Sequence, residues 1–157
     1  MKYLVKQKSK TIWKEGFYIH NEEGARCYFV KAQNLGLSQV SIYDVNQNEL
    51  LKIHKKLFRY DVFDTKNELL FSIKSNFGFK KKHFYLVSQL DDLKNVRIEG
   101  NYVASNFDIY RPEEILAQVS KKIVHVFDSY CCEIIDKKNE VNYIAMAMIV
   151  DLAIHKE

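Results

Sequence analysis

Short runs of aromatic and β-branched residues, separated by polar turns, make up most of the 157-residue chain. About twelve such runs follow one another at intervals of roughly 8 to 12 residues, a spacing typical of an antiparallel sandwich or barrel. They begin with YLVKQK, FYIH and ARCYFVKAQ and end with NFDIYR, ILAQVSKK and SYCCEII. Turns such as NEEG at Asn21 and TKNE at Thr65 are typical of β-hairpins. The pattern therefore predicts a mainly β protein built from hairpins.

The pattern changes between Val141 and Ile154, where only Asn142 and Asp151 interrupt a continuous apolar run. A membrane-spanning helix needs about 20 apolar residues, whereas runs of roughly 10 to 14 are more typical of a buried helix. A helix that is apolar on every side must be buried on every side. Only a sheet closed into a cylinder provides such burial, so we predict a closed antiparallel barrel of about twelve strands that encloses a helix over residues 140–155.

Two local features refine this prediction. Asn139 follows the turn DKKN and is the expected N-cap of the helix, because asparagine accepts hydrogen bonds from free N–H groups at helix starts. The stretch from Gln89 to Asn95 has the composition of a surface loop.

The composition supports a single domain over residues 1–157. Apolar residues make up 47% and charged residues 28% of the chain, which excludes a disordered chain. A chain of this length buries roughly two-thirds of its unfolded surface in one core. The first ten residues, MKYLVKQKSK, contain no continuous apolar segment typical of a signal peptide. We therefore expect a cytoplasmic protein.

Four stretches carry a resemblance to a known family: YLVKQK at the start, VRIEGNYVASNFDIYR from Val96, ILAQVSKKIVHVFDSYCCEI from Ile115 and YIAMAMIVDLAIH near the end. In order and spacing, from Tyr3 to His155, they resemble the LURP-one-related family of the Tubby C-terminal-like superfamily, which also contains the phospholipid scramblases. The resemblance implies a twelve-stranded closed barrel around a central C-terminal helix. It implies little about activity, although Tubby proteins bind phosphoinositides and scramblases associate with membranes.

The sequence lacks the patterns on which most enzymes and metal sites depend. No GxSxG, HExxH, GxGxxG or Walker-type loop occurs, and the five glycines are dispersed. The spacing between the five histidines is not one that metal ligands use, and the three cysteines do not form a CxxC motif. The calcium-like stretch at Asp44 has Glu49 where an EF-hand requires glycine, so a hydrogen-bonded hairpin turn is expected there. We expect no catalytic residue, no cofactor and no metal.

Asp151 stands out because a carboxylate on an apolar helix is costly to bury unless it is paired or hydrogen-bonded. A structural role near the barrel mouth, capping a backbone amide or pairing with a lysine, is one interpretation of this residue. The alternative is a functional acid.

Lysines carry the main functional hypothesis. The chain has 20 lysines but only 4 arginines, and arginine is the usual residue for reading base edges, so specific nucleic-acid binding is disfavoured. Lys6, Lys8 and Lys10 alternate along LVKQKSK, and an extended strand would place them on one face. The candidate anion-binding residues are Lys6, Lys8, Lys10, Lys55, Lys56, Lys121 and Lys122.

Two classes of function follow. The first is a non-enzymatic module that binds phosphoinositides or other anionic phospholipids at the inner membrane face through these lysines. The second is a structural or interaction domain that binds a protein partner, with lysines that only guard exposed strands. Added salt weakens the first kind of binding more than the second. A third class, a barrel that binds an apolar ligand in its lumen, is disfavoured by the large side chains of the predicted helix.

Overall fold

The computed structural model describes residues 1–6, 10–34, 36–76, 83–124 and 127–155, with only the backbone described at residues 6, 10–12, 122–124, 127–128 and 155. These residues form twelve strands and two α-helices. The strands are β1 (Lys2–Lys6), β2 (Phe17–Asn21), β3 (Arg26–Ala32), β4 (Gln39–Asp44), β5 (Glu49–Lys56), β6 (Arg59–Phe63), β7 (Leu69–Ser75), β8 (Phe84–Val87), β9 (Arg97–Asn101), β10 (Asn106–Arg111), β11 (Glu114–Val124) and β12 (Phe127–Ile134). The helices are α1 (Lys10–Glu15) and α2 (Glu140–His155).

All twelve strands belong to one antiparallel sheet with the order β8-β7-β6-β5-β4-β3-β2-β1-β12-β11-β10-β9. Consecutive strands mostly pair as hairpins, and β1 pairs with β12, which joins the two halves of the chain. The sheet curls into a nearly closed barrel with α2 lying inside it. Its two end strands, β8 and β9, form a seam. The predicted mainly β barrel with a helix inside it is confirmed.

Burial of α2 explains its uninterrupted apolar sequence. Tyr143, Met146 and Met148 lie on different sides of the helix, and none of them is exposed to solvent. The strands supply the surrounding wall through alternate residues, such as Val40 and Ile42 of β4. The helix is the core of the barrel, as predicted. In the part of the chain that the structure describes, no helix has the length and apolar character required to cross a membrane.

The N-terminal end of α2 is fixed by hydrogen bonds from the wall. The Tyr28 hydroxyl, on β3, donates a hydrogen bond to the Glu140 carboxylate in the first turn of α2. A carboxylate in this position also interacts favourably with the helix dipole. Burial, together with the hydrogen bond to this carboxylate, raises the pKa of Tyr28 well above its usual range. The contact sets the position of the helix along the barrel axis.

Helix α1 was not predicted from the sequence. β1 ends at Lys6 and Lys10 already belongs to α1, so the extended strand that would place Lys6, Lys8 and Lys10 on one face does not include Lys10. Trp13 of α1 is completely buried and packs edge-on against Phe17, with ring centroids 4.8 Å apart. The stabilisation gained by burying this large ring outweighs the preference for an extended strand that the alternating lysines indicated.

The structure refines two further local expectations. A 3₁₀ turn, Lys137–Asn139, precedes α2, and the side chain that caps it is Asp136 rather than Asn139. Asp136 accepts a hydrogen bond from the Lys138 backbone N–H. The predicted surface loop at 89–95 contains another 3₁₀ turn, Asp91–Leu93, whose Leu93 side chain is completely buried.

Candidate anion-binding end of the barrel

Strand direction brings the predicted lysines to one end of the barrel, which we call the basic end. β1, β5 and β11 run in the same direction because an even number of antiparallel pairings separates them in the sheet. Each of these strands carries lysine at or near its final residue, and α1 connects β1 to β2 at the same end. The predicted lysines on described backbone at this end are Lys6, Lys10, Lys55, Lys56, Lys121 and Lys122. Lys8 lies outside the described residues.

The strand register divides these lysines into two groups. Lys6 of β1 and Lys122 of β11 are both register partners of Ser129 on β12, so their backbones lie two strand spacings, about 10 Å, apart. Lys55 and Lys56 lie on β5, and three strands separate β5 from β1. The lysines therefore share one end of the barrel without forming one continuous patch.

Three cations form a row across neighbouring strands at the basic end. Arg59 of β6 is the register partner of Lys56 on β5 and of Lys74 on β7. Residues paired in this way have side chains on the same face of the sheet. Like charges in such positions destabilise a sheet. Lys74 is exposed and forms no ion pair with any described residue. Of these three cations, the sequence analysis identified only Lys56. The two-residue turn formed by Leu57 and Phe58 was a signal from which the pairing of Lys56 with Arg59 could have been predicted.

One buried carboxylate lies beside this row. Asp61 is almost fully buried, with its Oδ2 atom 3.3 Å from Lys56 Nζ and its Oδ1 atom 3.1 Å from Arg59 Nε. Ser72 Oγ also donates a hydrogen bond of 2.6 Å to Asp61 Oδ1. Burial acts to raise the pKa of Asp61, but the hydrogen bond from Ser72 and the two cations outweigh it and lower the pKa below its usual value. Asp61 therefore holds Lys56 and Arg59 in place while neutralising only part of their charge.

An apolar tip projects between these cations. Leu57 and Phe58 form the two-residue turn of the β5–β6 hairpin, and the Leu57 side chain is 82% exposed. Such turns are normally built from asparagine, aspartate or glycine, because both central residues require positive φ in the commonest type. Phe58 has φ of 58°, a conformation that a bulky side chain rarely adopts. The sequence therefore places apolar side chains where turn chemistry favours polar ones.

The most exposed large apolar side chains of the described residues gather at the same end. After Leu57, the next most exposed are Val103, at 69%, and Tyr85, at 56%. Val103 lies in the turn between β9 and β10, and Tyr85 is the register partner of Lys74. Exposed apolar residues interspersed with cations are typical of surfaces that contact membranes or other proteins.

The opposite end of the barrel is rich in carboxylates. Its turns and the strand residues that border them carry Glu22, Glu23, Asp44, Asp64, Glu68, Asp91, Asp92, Glu113 and Glu114. Several of these carboxylates are engaged: Asp44 accepts hydrogen bonds from the N–H groups of Asn46 and Asn48, as expected for a hairpin turn. Lys138 pairs with Asp92 at 3.0 Å. The two ends of the barrel therefore differ in charge, and only the basic end presents lysines in excess.

Asp151 lies in the half of α2 nearer the basic end and is 5% exposed. It lines a small internal gap together with Tyr102, Phe107 and Tyr130. Burial and the charge of Asp151 both raise the pKa of Tyr130, with burial as the larger cause. The residue is thus enclosed among apolar and aromatic groups rather than open to the lysine-bearing surface.

Comparisons with known proteins agree with this architecture. The family model described as LURP-one-related matches residues 1–151. The X-ray structure of a protein from Arabidopsis thaliana is similar over 96% of this chain and 90% of that chain, with 18% sequence identity and a TM-score of 0.63. At this level of identity the likeness shows the fold alone. No curated protein matches the chain.

Proposed function

The chain belongs to the LURP-one-related family, and from that premise we propose that it is a non-enzymatic module whose basic end binds the anionic headgroups of a phospholipid membrane. The observation that carries the proposal is the hairpin tip, in which the exposed Leu57 stands between Lys56 and Arg59. Cations near an anionic leaflet each contribute about 1 kcal/mol of binding. An apolar side chain that enters the acyl region adds a contribution that salt does not screen.

The combination of charge and apolar surface matters because either one alone gives weak binding. Three cations, Lys56, Arg59 and Lys74, less the one Asp61 carboxylate leave a net of two positive charges, which supplies about 2 kcal/mol on this scale and corresponds to roughly a thirtyfold increase in affinity. Leu57 adds about 1.5 to 3 kcal/mol if its side chain becomes fully buried. Together they account for reversible attachment without a lipid anchor or a membrane-spanning helix.

The orientation of the barrel supports the same proposal. Carboxylates are concentrated at the end opposite the lysines, so a negatively charged surface attracts one end of the barrel and repels the other. In this orientation the barrel axis stands upright on the membrane. The turn at Val103 faces the membrane together with the β5–β6 hairpin.

Co-sedimentation with lipid vesicles tests the proposal. Vesicles of neutral lipid are compared with vesicles that contain anionic lipid, at low and at physiological salt. We expect binding only to anionic vesicles, weakened by salt because the Debye length shortens to about 8 Å. Leu57→Ser is expected to weaken binding about tenfold or more at both salt concentrations, because it removes the apolar contribution.

A pair of charge reversals provides the matched control. Lys74→Glu at the basic end is expected to lower affinity about fivefold or more, since about 1 kcal/mol is lost with each lysine. Lys66→Glu makes the same charge change in an exposed turn at the opposite end and should leave affinity unchanged within about twofold. A triple change of Lys6, Lys8 and Lys10 to glutamate reports on the second lysine group. Equal losses of vesicle affinity from Lys66→Glu and Lys74→Glu would show that only the net charge of the protein matters. That result would contradict a specific role for the basic end.

The alternative is a protein-interaction domain without a lipid ligand. Failure of the folded wild-type protein to bind any vesicle at either salt concentration would favour that alternative. We would then expect the exposed Leu57 and Val103 side chains to contact a protein partner.

A further inference from the structure

Three aromatic side chains form a row on the outer face of the barrel, across β2, β3 and β4. Tyr18 is the register partner of Phe29, and Phe29 is the register partner of Tyr43. The ring centroids of Tyr18 and Phe29 lie 5.0 Å apart, and those of Phe29 and Tyr43 lie 6.1 Å apart. All three side chains are only partly buried, whereas their chain neighbours Val30 and Ile42 point into the core. The row therefore presents aromatic surface over two strand spacings, about 10 Å.

A groove of about 300 Å³ follows this row, a volume within the range of roughly 300 to 1,000 Å³ that is common for ligand sites. Besides the three rings, the groove is lined by Lys31, Asp44, Val45 and Gln47. The tip of the Phe29 ring lies over Gly16, in space that the Cβ atom of any other residue would fill. This close fit holds the central ring in place, so the floor of the groove is formed before any ligand binds.

The groove carries positive charge that the protein itself does not neutralise. Lys31 is exposed, and none of the ion pairs formed between described residues includes it. Arg26 is also exposed, and its Cζ atom lies 4.2 Å from the centre of the Tyr18 ring. The Asp44 carboxylate lies at the other side of the row from Lys31, where it accepts hydrogen bonds from two backbone N–H groups and one side-chain amide of its own turn. An anionic group is therefore attracted to the Lys31 side of the groove.

Aromatic rings beside free cations match the chemistry of single-stranded nucleic acid. Unpaired bases stack on aromatic side chains and on guanidinium planes, while lysine and arginine contact the phosphates. The bases of a duplex are already stacked on one another, and a neutral sugar leaves both cations unused. Stacking requires no recognition of base edges, so the scarcity of arginine in this chain opposes sequence-specific binding without opposing this kind.

We propose that the groove over Tyr18, Phe29 and Tyr43 binds single-stranded nucleic acid irrespective of its sequence. Bases stack on the three rings, and phosphates contact Lys31 and Arg26. The groove shares no residue with the row of Lys56, Arg59 and Lys74 at the basic end. Binding of a nucleic-acid strand and binding of vesicles are therefore measured independently, and either can fail without the other.

Fluorescence anisotropy of a labelled single-stranded DNA of eight nucleotides and mixed sequence is the first test. An abasic strand of the same length keeps the phosphates but lacks the bases, and it should bind at least tenfold more weakly. Two phosphate contacts predict that the logarithm of affinity falls with the logarithm of salt concentration with a slope of about −1.4. Equal binding of the two strands would overturn the proposal. Competition by a nucleoside monophosphate at the same concentration as the unlabelled eight-nucleotide strand would overturn the assignment to a strand.

Tyr43→Leu removes one ring and keeps an apolar side chain, and it should lower affinity for the strand about tenfold. Tyr85→Leu is the matched control, since it removes an exposed tyrosine from β8, and it should leave affinity unchanged within about twofold. Because ring contacts between strands also stabilise a sheet, both variants are checked for folding by circular dichroism. Equal losses from the two folded variants would refute the site.

Lys31→Gln tests the phosphate contact and should make the salt slope shallower by about 0.7. Lys74→Gln removes the same charge at the basic end and should leave this slope unchanged while weakening vesicle binding. A larger effect on strand binding from Lys74→Gln than from Lys31→Gln would place the nucleic acid at the basic end and would refute the groove.

Discussion

The hydroxyl group of Tyr143 donates a 2.6 Å hydrogen bond to Oδ2 of Asp136, joining the second turn of α2 to the residue that caps the preceding 3₁₀ turn. Asp136 also accepts hydrogen bonds from Asn139 Nδ2 and from the Lys138 backbone N–H, each over 3.3 Å. One carboxylate therefore organises the entry of the chain into the barrel. Burial acts to raise the pKa of Asp136, but these three hydrogen bonds outweigh it and lower the pKa below its usual value.

We expect Tyr143→Phe to lower the free energy of unfolding by about 1 to 3 kcal/mol at neutral pH, because it leaves the Asp136 carboxylate without its shortest hydrogen bond. Urea denaturation followed by tryptophan fluorescence measures the change. The single tryptophan, Trp13, is buried at the other end of the barrel and reports on unfolding without touching the mutated site.

The same contact predicts a pH dependence. A carboxyl group with a lowered pKa in the folded state stabilises the protein above its unfolded pKa, about 3.9 for aspartate, and loses this contribution as the pH falls through the folded value. The stability difference between the wild type and Tyr143→Phe should therefore be constant near neutral pH and shrink below about pH 4. A difference that stays constant down to the lowest pH at which both proteins fold would contradict the role assigned to Asp136.

Asp61→Asn is predicted to change stability and membrane binding in opposite directions. Loss of the carboxylate leaves Lys56 and Arg59 without their buried partner, so we expect a loss of about 1 to 3 kcal/mol in unfolding free energy, allowing for the exposure of both cations. The same change removes a negative charge from the basic end and should raise affinity for anionic vesicles. Ser72→Ala, which removes only the hydroxyl donor, provides the control. Weaker vesicle binding by a folded Asp61→Asn variant would contradict the prediction.

Gly16→Ala should be more destabilising than Gly24→Ala although both glycines have positive φ, 100° and 83°. A Cβ atom at Gly16 would lie 2.2 Å from Cζ of Phe29, whereas a Cβ at Gly24 meets nothing within 4 Å. We expect about 1 kcal/mol of destabilisation at Gly24 from backbone conformation, and an additional 1 to 3 kcal/mol or so at Gly16 from displacement of the Phe29 ring. Thermal denaturation of the two variants in parallel gives the difference, and equal losses would show that the ring moves aside freely.

Asp151→Leu separates the two interpretations of this residue. A buried carboxylate with a structural role contributes to folding rather than to binding, so we expect Asp151→Leu to change the free energy of unfolding and to leave the barrel folded. Vesicle binding should be unchanged within about twofold, since the residue does not face the basic surface. Loss of vesicle binding by the folded variant would instead identify Asp151 as a functional acid.

The strands and α2 were predictable because their signals are local. Alternation along a half-buried strand, such as Val40 and Ile42 in β4, follows directly from the two-residue period of side chains. The all-round apolar sequence of α2 had only one physical solution, which was burial on every side. Helix α1 has no comparable signal, since six residues with two lysines form a helix only because Trp13 is buried against Phe17.

The candidate site was predictable in location but not in composition. Lysines near the ends of strands that run in the same direction had to reach the same end of an antiparallel barrel, so their common location followed from topology. The row that joins Lys56 to Arg59 and Lys74 depends on strand register instead. Register is set jointly by turn geometry and by the fit of the buried face, and neither is visible in composition or in the spacing of lysines.

The position of α2 inside the barrel also has a consequence for synthesis on the ribosome. The helix that fills the lumen follows every strand of the wall in chain order. β1 also cannot pair with its second neighbouring strand until β12 has been synthesised. Until α2 emerges, the apolar inner faces of the strands have nothing to pack against. The nascent chain therefore exposes aggregation-prone surface until α2 has been synthesised, and the barrel forms largely after α2 has emerged from the ribosome.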